Sequence, residues 1–287
     1  MKMNNWFLRS AAAASIAAMT VISSCKDEVK RFNAEDAQAL SEEAIADAYY
    51  EDADDVSSSV VYDTENATNN GRVATDIVSN DGRLKDCATI TLTGDKTSGV
   101  ITIDFGDGCT YRGNTREGKI ILTYSNGPAG SNGFTVVTTF EAYKINDIEL
   151  KGKRTIVKEA NATQTNLQHH IVLEDGQAIW PDGSTILRES DFTRIWVRDE
   201  TDPRILLDGS ASGKTRLDKT YTMEINETLV YRRECMVDEG IFMAVQGEKV
   251  FNTDGKQIVI DYGTGACDRT VTITVNGISR QVSVANN

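Results

Sequence analysis

Tyr221-Thr222-Met223-Glu224-Ile225-Asn226-Glu227-Thr228-Leu229-Val230-Tyr231 is the stretch that decides the fold class. Side chains two residues apart share one face of an extended chain, so Tyr221, Met223, Ile225, Leu229 and Tyr231 line one face, with Glu227 among them. The same period of two recurs in Ile101, Ile103 and Phe105, and in Phe134, Val136, Thr138, Phe140 and Ala142. It returns in Val271, Ile273 and Val275, then in Ile278, Arg280, Val282 and Val284. Val, Ile and Thr dominate these runs, as pleated surfaces favour.

Between the runs lie Asn126-Gly127, Asn132-Gly133, Asp175-Gly176, Asp182-Gly183, Asp208-Gly209, Asp254-Gly255 and Asn276-Gly277. These residue types tolerate the positive φ that tight hairpins need. Strand, short turn, strand leaves no room for parallel crossovers. The expected fold is all-β: an antiparallel meander forming a two-layer sandwich or one curled sheet, since each strand has one apolar face.

One short N-terminal α-helix is expected over about 33–50. Asn33 can cap it, with Glu35 and Asp36 in the first turn at the positive end of the dipole. Ala37, Leu40, Ala44, Ile45, Ala48 and Tyr49 form a narrow apolar stripe to dock on the β domain. Asp52, Asp54, Asp55 and Ser57 to Ser59 open a polar stretch to 82 that reads as a tether. The expected organisation is a signal segment at 1–24, a tether with the helix at 25–85, and an antiparallel β domain at 86–287.

The 287 residues carry 30 Lys+Arg against 43 Asp+Glu, a net charge of −13. Nucleic acid as a partner is argued against, because it calls for a basic footprint. Lys2 and Arg9 precede an apolar run from Ala11 to Ile22, the pattern of a secretory signal. The run ends Ile22-Ser23-Ser24-Cys25, which resembles the bacterial lipobox. That resemblance implies cleavage before Cys25 and acyl lipid on it, so that the membrane is a partner through Cys25. Lys26-Asp27-Glu28 looks like the short export tag of Bacteroidota surface lipoproteins, which implies outer-membrane localisation with surface exposure.

Two segments echo each other. Ile101-Thr102-Ile103-Asp104-Phe105-Gly106-Asp107-Gly108-Cys109 matches Ile258-Val259-Ile260-Asp261-Tyr262-Gly263-Thr264-Gly265-Ala266-Cys267. Each is expected to follow a cysteine-led strand, at Cys87 and at Cys235. With Cys25 assigned to lipid, four cysteines remain, an even number that suggests disulfides in an exported chain. Three pairings exist; the echo favours Cys87–Cys109 and Cys235–Cys267. The close Cys pairs of a structural zinc site are missing, so no metal or cofactor is expected. The Asp104 to Gly108 segment reads as a glycine-allowed turn that aims the next cysteine.

This two-unit pattern resembles a group of uncharacterised Bacteroidota surface lipoproteins. The residues carrying it are Asp104-Phe105-Gly106-x-Gly108-Cys109-Thr110, Arg116-x-Gly118-Lys119-Ile120, Trp180-Pro181-Asp182-Gly183 and Asp261-Tyr262-Gly263-x-Gly265-x-Cys267-Asp268. It spans most of residues 85 to 285 and implies an all-β fold, with no activity or catalytic residues to carry over.

The chain has two histidines, His169 and His170. Neighbours on a strand point to opposite faces, so they cannot chelate one ion together. Leu167, Ile171 and Leu173 place His169 on the apolar face. No nucleophile elbow, zincin helix or P-loop is present. Glu189, Asp191, Asp199, Glu200 and Asp202 form an acidic group, read as turn solvation. Trp180, at a hairpin tip, is the candidate ligand contact: it can stack on a sugar ring or cover the core end. Trp196, at strand spacing from Phe192 and Arg194, is expected to pack in a stack. The expectation is a lipid-anchored, non-catalytic binding or structural surface module for a glycan or protein. A β-scaffold glycan hydrolase and a periplasm-facing accessory of an envelope complex are the alternatives.

Overall fold

In the computed structural model the run quoted above is a strand, Thr220–Arg232, within one large antiparallel sheet. The structure describes residues 32–67, 75–79, 81–85, 87–160, 166–241 and 243–284. The expected signal segment, the expected lipidation site Cys25 and Lys26-Asp27-Glu28 lie outside these residues.

The strands, in chain order, are β1 (Thr75–Asp76), β2 (Thr89–Gly94), β3 (Gly99–Asp104), β4 (Cys109–Tyr111) and β5 (Asn114–Ser125). Then come β6 (Thr135–Ile145), β7 (Ile148–Lys158), β8 (Asn166–Ile179), β9 (Thr185–Val197) and β10 (Arg204–Lys214). The last are β11 (Thr220–Arg232), β12 (Gln246–Thr253), β13 (Lys256–Thr264), β14 (Thr270–Val275) and β15 (Ile278–Ser283). Apart from β4, which pairs only with β5, each strand pairs with its sequence neighbours, and β1 and β15 are the two edges of a 15-stranded sheet. Of the two layerings the sequence allows, this is the single curled sheet.

The curl has a local cause. Register shifts interrupt the pairings β5·β6, β6·β7, β7·β8 and β8·β9 near mid-strand, and β10·β11, β11·β12 and β12·β13 carry them too. A bulge adds a residue to one strand, bends it and increases its twist. Asp175-Gly176 and Asp208-Gly209, expected as hairpin turns, are such sites instead: they lie inside β8 and β10, with Asp175 at φ 54° and Gly209 at φ 137°. Asp182-Gly183, Asp254-Gly255 and Asn276-Gly277 do form the tight turns β8–β9, β12–β13 and β14–β15.

The concave face holds one long helix, α1 (Ala34–Ala67). Asn33 Oδ1 accepts from the Asp36 N–H at 2.9 Å while Asp36 Oδ2 accepts from the Asn33 N–H at 2.8 Å, a reciprocal cap that starts it as expected. The end differs. The helix does not stop near Tyr50 but continues through the polar stretch read as a tether. Of the expected stripe, Leu40, Ile45 and Tyr49 pack half-buried at the margin of the core, whereas Ala37, Ala44 and Ala48 are exposed. Ala39, Ala46, Tyr50, Ala53, Val56 and Val60 pack on the sheet instead, interleaved with buried Asp36, Glu42, Glu43 and Asp54. Among the described residues no helix is long and apolar enough to cross a membrane.

Those acids face a set of cations on the inner sheet face. Arg116 on β5 holds Asp52, with Nε to Oδ2 at 2.9 Å and Nη2 to Oδ1 at 2.6 Å. Arg154 on β7 donates through Nε to Asp54 Oδ2 at 2.7 Å and through Nη2 to Glu51 at 2.5 Å. Arg188 on β9 donates to Glu43 and to Asp47, the latter at 2.7 Å. Lys256 on β13 reaches both oxygens of Asp36, at 3.0 and 2.9 Å. Burial alone would lower the Arg154 and Arg188 pKa values, but the facing carboxylates more than offset it and hold both above their ordinary range. Gly176 and Gly213 flank Arg188 on the neighbouring strands. A Cβ on Gly213 would meet the Leu187 carbonyl oxygen at 1.8 Å, so the backbones there approach too closely for a side chain.

Both disulfides join the favoured pairs, Cys87–Cys109 and Cys235–Cys267, with Cα atoms 5.5 and 5.1 Å apart. The expected cysteine-led strand at Cys235 is not formed. Cys235 lies in the short helix α2 (Arg233–Val237), where the chain leaves β11 and buries the cysteine with Ile241, Val245 and Cys267. The echo extends to the turns: the Gly106 N–H donates to Asp104 Oδ1 at 2.9 Å and the Gly263 N–H to Asp261 Oδ1 at 2.7 Å.

Candidate ligand cavity

Between the second half of α1 and the inner ends of β6, β7 and β8 lies a cavity of about 440 Å³. Its origin is in the helix sequence. Ser57 faces strands whose inner residues are medium-sized, Ser58 is exposed at the mouth, and Ala129 and Gly130 in the β5–β6 loop add no bulk. Ser57 also turns its hydroxyl back to the Ala53 carbonyl at 2.6 Å. Small groups against a curved sheet leave space.

Strand register sorts the lining into layers. Thr138 on β6 pairs with Arg154 on β7, and Arg154 with Leu173 on β8. This layer, with Asp54 beneath α1, is the floor. Two residues on, Val136 pairs with Ile156 and Ile156 with Ile171, an apolar middle. Two further, Lys158 pairs with His169, whose next partner is Arg194 on β9. Lys158, His169 and Arg198, with Phe134 and Leu167, make the rim. At ~3.3 Å per residue the four steps from Arg154 to Lys158 separate floor from rim by about 13 Å.

The floor is under-satisfied. Thr138 Oγ1 and Asp54 Oδ1 are buried with no hydrogen-bond partner. Burial is the main reason that the Asp54 pKa is pushed up to about 6, despite the facing Arg154. At the rim, burial together with Arg194, Lys158 and Arg198 pushes His169 down to about 4, so the imidazole is neutral at pH 7. Lys158 donates to the Gly130 carbonyl rather than to a carboxylate. The rim is therefore cationic and the middle apolar.

His169 faces inward, as its strand neighbours predict, and His170 faces outward with Nε2 2.7 Å from Asp191 Oδ1. Trp180 lies elsewhere, beyond the opposite end of β8. The Arg216 guanidinium sits 4.6 Å from its ring centroid, and Arg216 is fixed to Glu42, Asp182 and Ser184. One ring face is thus covered by a cation. Trp196 is 41% exposed and makes no ring or cation–π contact among the described residues, so the expected packed stack is not formed. Arg194 reaches inward to Glu51 instead, and the guanidinium near Phe192 belongs to Arg188, 5.9 Å from its centroid.

Four acids of the expected acidic group make separate local contacts, Asp191 with His170 as above: Glu189 accepts from the Asp175 N–H at 2.9 Å, and Asp199 from the Thr201 N–H at 2.7 Å. Asp202 pairs with Arg204 at 2.6 Å. Glu234, Cys235 and Cys267 bring their ligand atoms within 4.8 Å of one another, but both sulfurs are joined in the disulfide and offer no thiolate.

Sequence reading did not find Thr138, Asp54, Lys158 or Arg198. The available signal was a cation at an inward position: Lys158 and Arg154 continue the same strand face as Leu150 and Ile156. No family model, curated protein or solved structure matches this chain.

Proposed function

We propose that this chain is a lipid-anchored cell-envelope protein whose β domain acts as a non-catalytic binding module. The binding half of this reading is carried by the cavity, which has an apolar wall and a few convergent polar groups, the usual character of a small-molecule site. The anchoring half rests on the lipobox-like run ending at Cys25 and on the resemblance to Bacteroidota surface lipoproteins.

A β-scaffold hydrolase needs two carboxyls facing one substrate, roughly 5 to 10 Å apart. Asp54 is the one acid in the cavity lining among the described residues. The other buried helix acids and their neighbours are engaged by cations: Asp36 by Lys256, Glu42 by Arg216, Glu43 and Asp47 by Arg188, Glu51 by Arg154 and Asp52 by Arg116. This supports binding over catalysis.

Metabolic labelling with palmitate, followed by protease treatment of intact and permeabilised cells, tests the reading on the native chain and on Cys25→Ala. The expected result is label on the native chain, none on Cys25→Ala, and loss of the β domain from intact cells. Protection until permeabilisation would favour a periplasm-facing accessory of an envelope complex. An unlabelled native chain would remove the anchor.

A further inference from the structure

The geometry points to a specific class of occupant for the cavity, resting on the binding reading above: a single-chain anionic amphiphile, a carboxylate head on an apolar chain with a hydrogen-bonding group at its far end. Three layers argue for it. Lys158 and Arg198 at the rim have no carboxylate partner among the described residues, and neutral His169 between them adds a hydrogen-bonding group without opposing charge. A carboxylate there gains charge-assisted bonds. Val136 and Ile156 in the middle offer only hydrocarbon, which suits an unbranched chain and gives a polar sugar ring nothing to bond.

The floor closes the argument. Thr138 Oγ1 and Asp54 Oδ1 are buried, unpartnered and part of the cavity lining. Burying such atoms without a bond is unfavourable by about 1–3 kcal/mol each, so a terminal hydroxyl at this end, met by a turn of the Thr138 side chain toward the cavity, satisfies groups the fold leaves unmet. The dimensions agree. About 13 Å from rim to floor and room for about fifteen water-sized groups at ~30 Å³ each suit a chain near ten carbons.

Calorimetric titration of the full chain carrying Cys25→Ala with four probes tests this: 10-hydroxydecanoate, decanoate, decanol and decyltrimethylammonium, each below its micelle concentration. The expected order is 10-hydroxydecanoate tightest, decanoate about tenfold weaker, and the neutral and cationic probes at least about tenfold weaker again. Lys158→Gln with Arg198→Gln should abolish the advantage of decanoate over decanol. Thr138→Val should erase the preference for the hydroxylated acid while leaving decanoate unchanged. Ser58→Trp, an exposed helix position at the cavity mouth, should block all binding without touching the core. Decanol or the cationic probe binding as well as decanoate, still blocked by Ser58→Trp, would overturn the anionic class and keep the cavity as a site. Binding that survives Ser58→Trp, or none from any probe, would overturn the cavity reading itself, whatever the palmitate labelling shows.

Discussion

Arg154 and Asp54 stand 100 residues apart in the chain, yet Nε of one donates to Oδ2 of the other at 2.7 Å, and both side chains are almost wholly buried. Such a pair is weakly stabilising as a unit, because desolvating two charges consumes most of their attraction. Breaking it is another matter. Arg154→Met leaves Asp54 without its cation in a dry interior, while Glu51 keeps Arg194, and should destabilise the fold by about 3–5 kcal/mol in urea unfolding. Adding Asp54→Leu to that variant should recover part of the loss, since the stranded charge goes with it.

Asp54 and His169 make opposite contributions to pH dependence. The Asp54 pKa is raised from 3.8 to about 6 by burial, so its neutral form is favoured in the fold and its contribution is lost as pH rises from 4 to 6. The His169 pKa is lowered from 6.5 to about 4, so its contribution is present above 6.5 and lost as pH falls toward 4. The two slopes oppose, each by at most about 1.4 kcal/mol per pH unit. Stability of His169→Gln should therefore fall more steeply with rising pH between 4 and 6 than that of the native chain. Asp54→Asn should shift the slope the other way. Parallel curves for all three proteins would rule out both assignments.

Each disulfide closes a loop between residues 22 or 32 apart. Replacing either pair by serine should lower stability by roughly 3 kcal/mol in the chain-entropy view. The effect should vanish when both proteins are compared under reducing conditions.

Gly213 allows β10 to run close against β9 beside Arg188. Gly213→Ala should destabilise by about 1–3 kcal/mol, because its Cβ lies in the Leu187 carbonyl and the backbones must part. Ala at Gly255, where nothing lies within 4 Å of the added carbon, is the control for strain without crowding.

Arg216→Ala uncovers one face of Trp180 and strands Glu42, which is buried. Tryptophan emission should shift to the red as water reaches the ring, measured against a Trp196→Phe background that removes the more exposed indole.

The strands were legible because their inner and outer faces differ in polarity, and the turns at 182, 254 and 276 because Asn or Asp before Gly is the chemistry a tight hairpin needs. The same chemistry misled at 175 and 208. A bulge and a hairpin both ask for positive φ, and only the partner strand distinguishes them. The helix was truncated for a related reason. Its buried side interleaves Ala39, Ala46, Tyr50, Ala53, Val56 and Val60 with Asp36, Glu42, Glu43 and Asp54, so a search for apolar spacing catches only its flank, Leu40, Ile45 and Tyr49, and then loses the trail among the acids. A burial face made of charge becomes visible only with Arg116, Arg154 and Arg188 in view, each isolated among apolar residues on a distant strand. The cavity rim was hidden likewise, because Lys158 and His169 meet only through register.

The acidic rod is made first and its sleeve last. Asp36 meets Lys256 across 220 positions, and Glu43 meets Arg188 across 145. Until those distant strands are in place, the carboxylates of this segment have no cations to match them. Contact order of this kind slows folding, because distant loop closures must precede their reward. The ion-pair ladder thus ties completion of the helix's docking to strands far along the chain, β9 and β13.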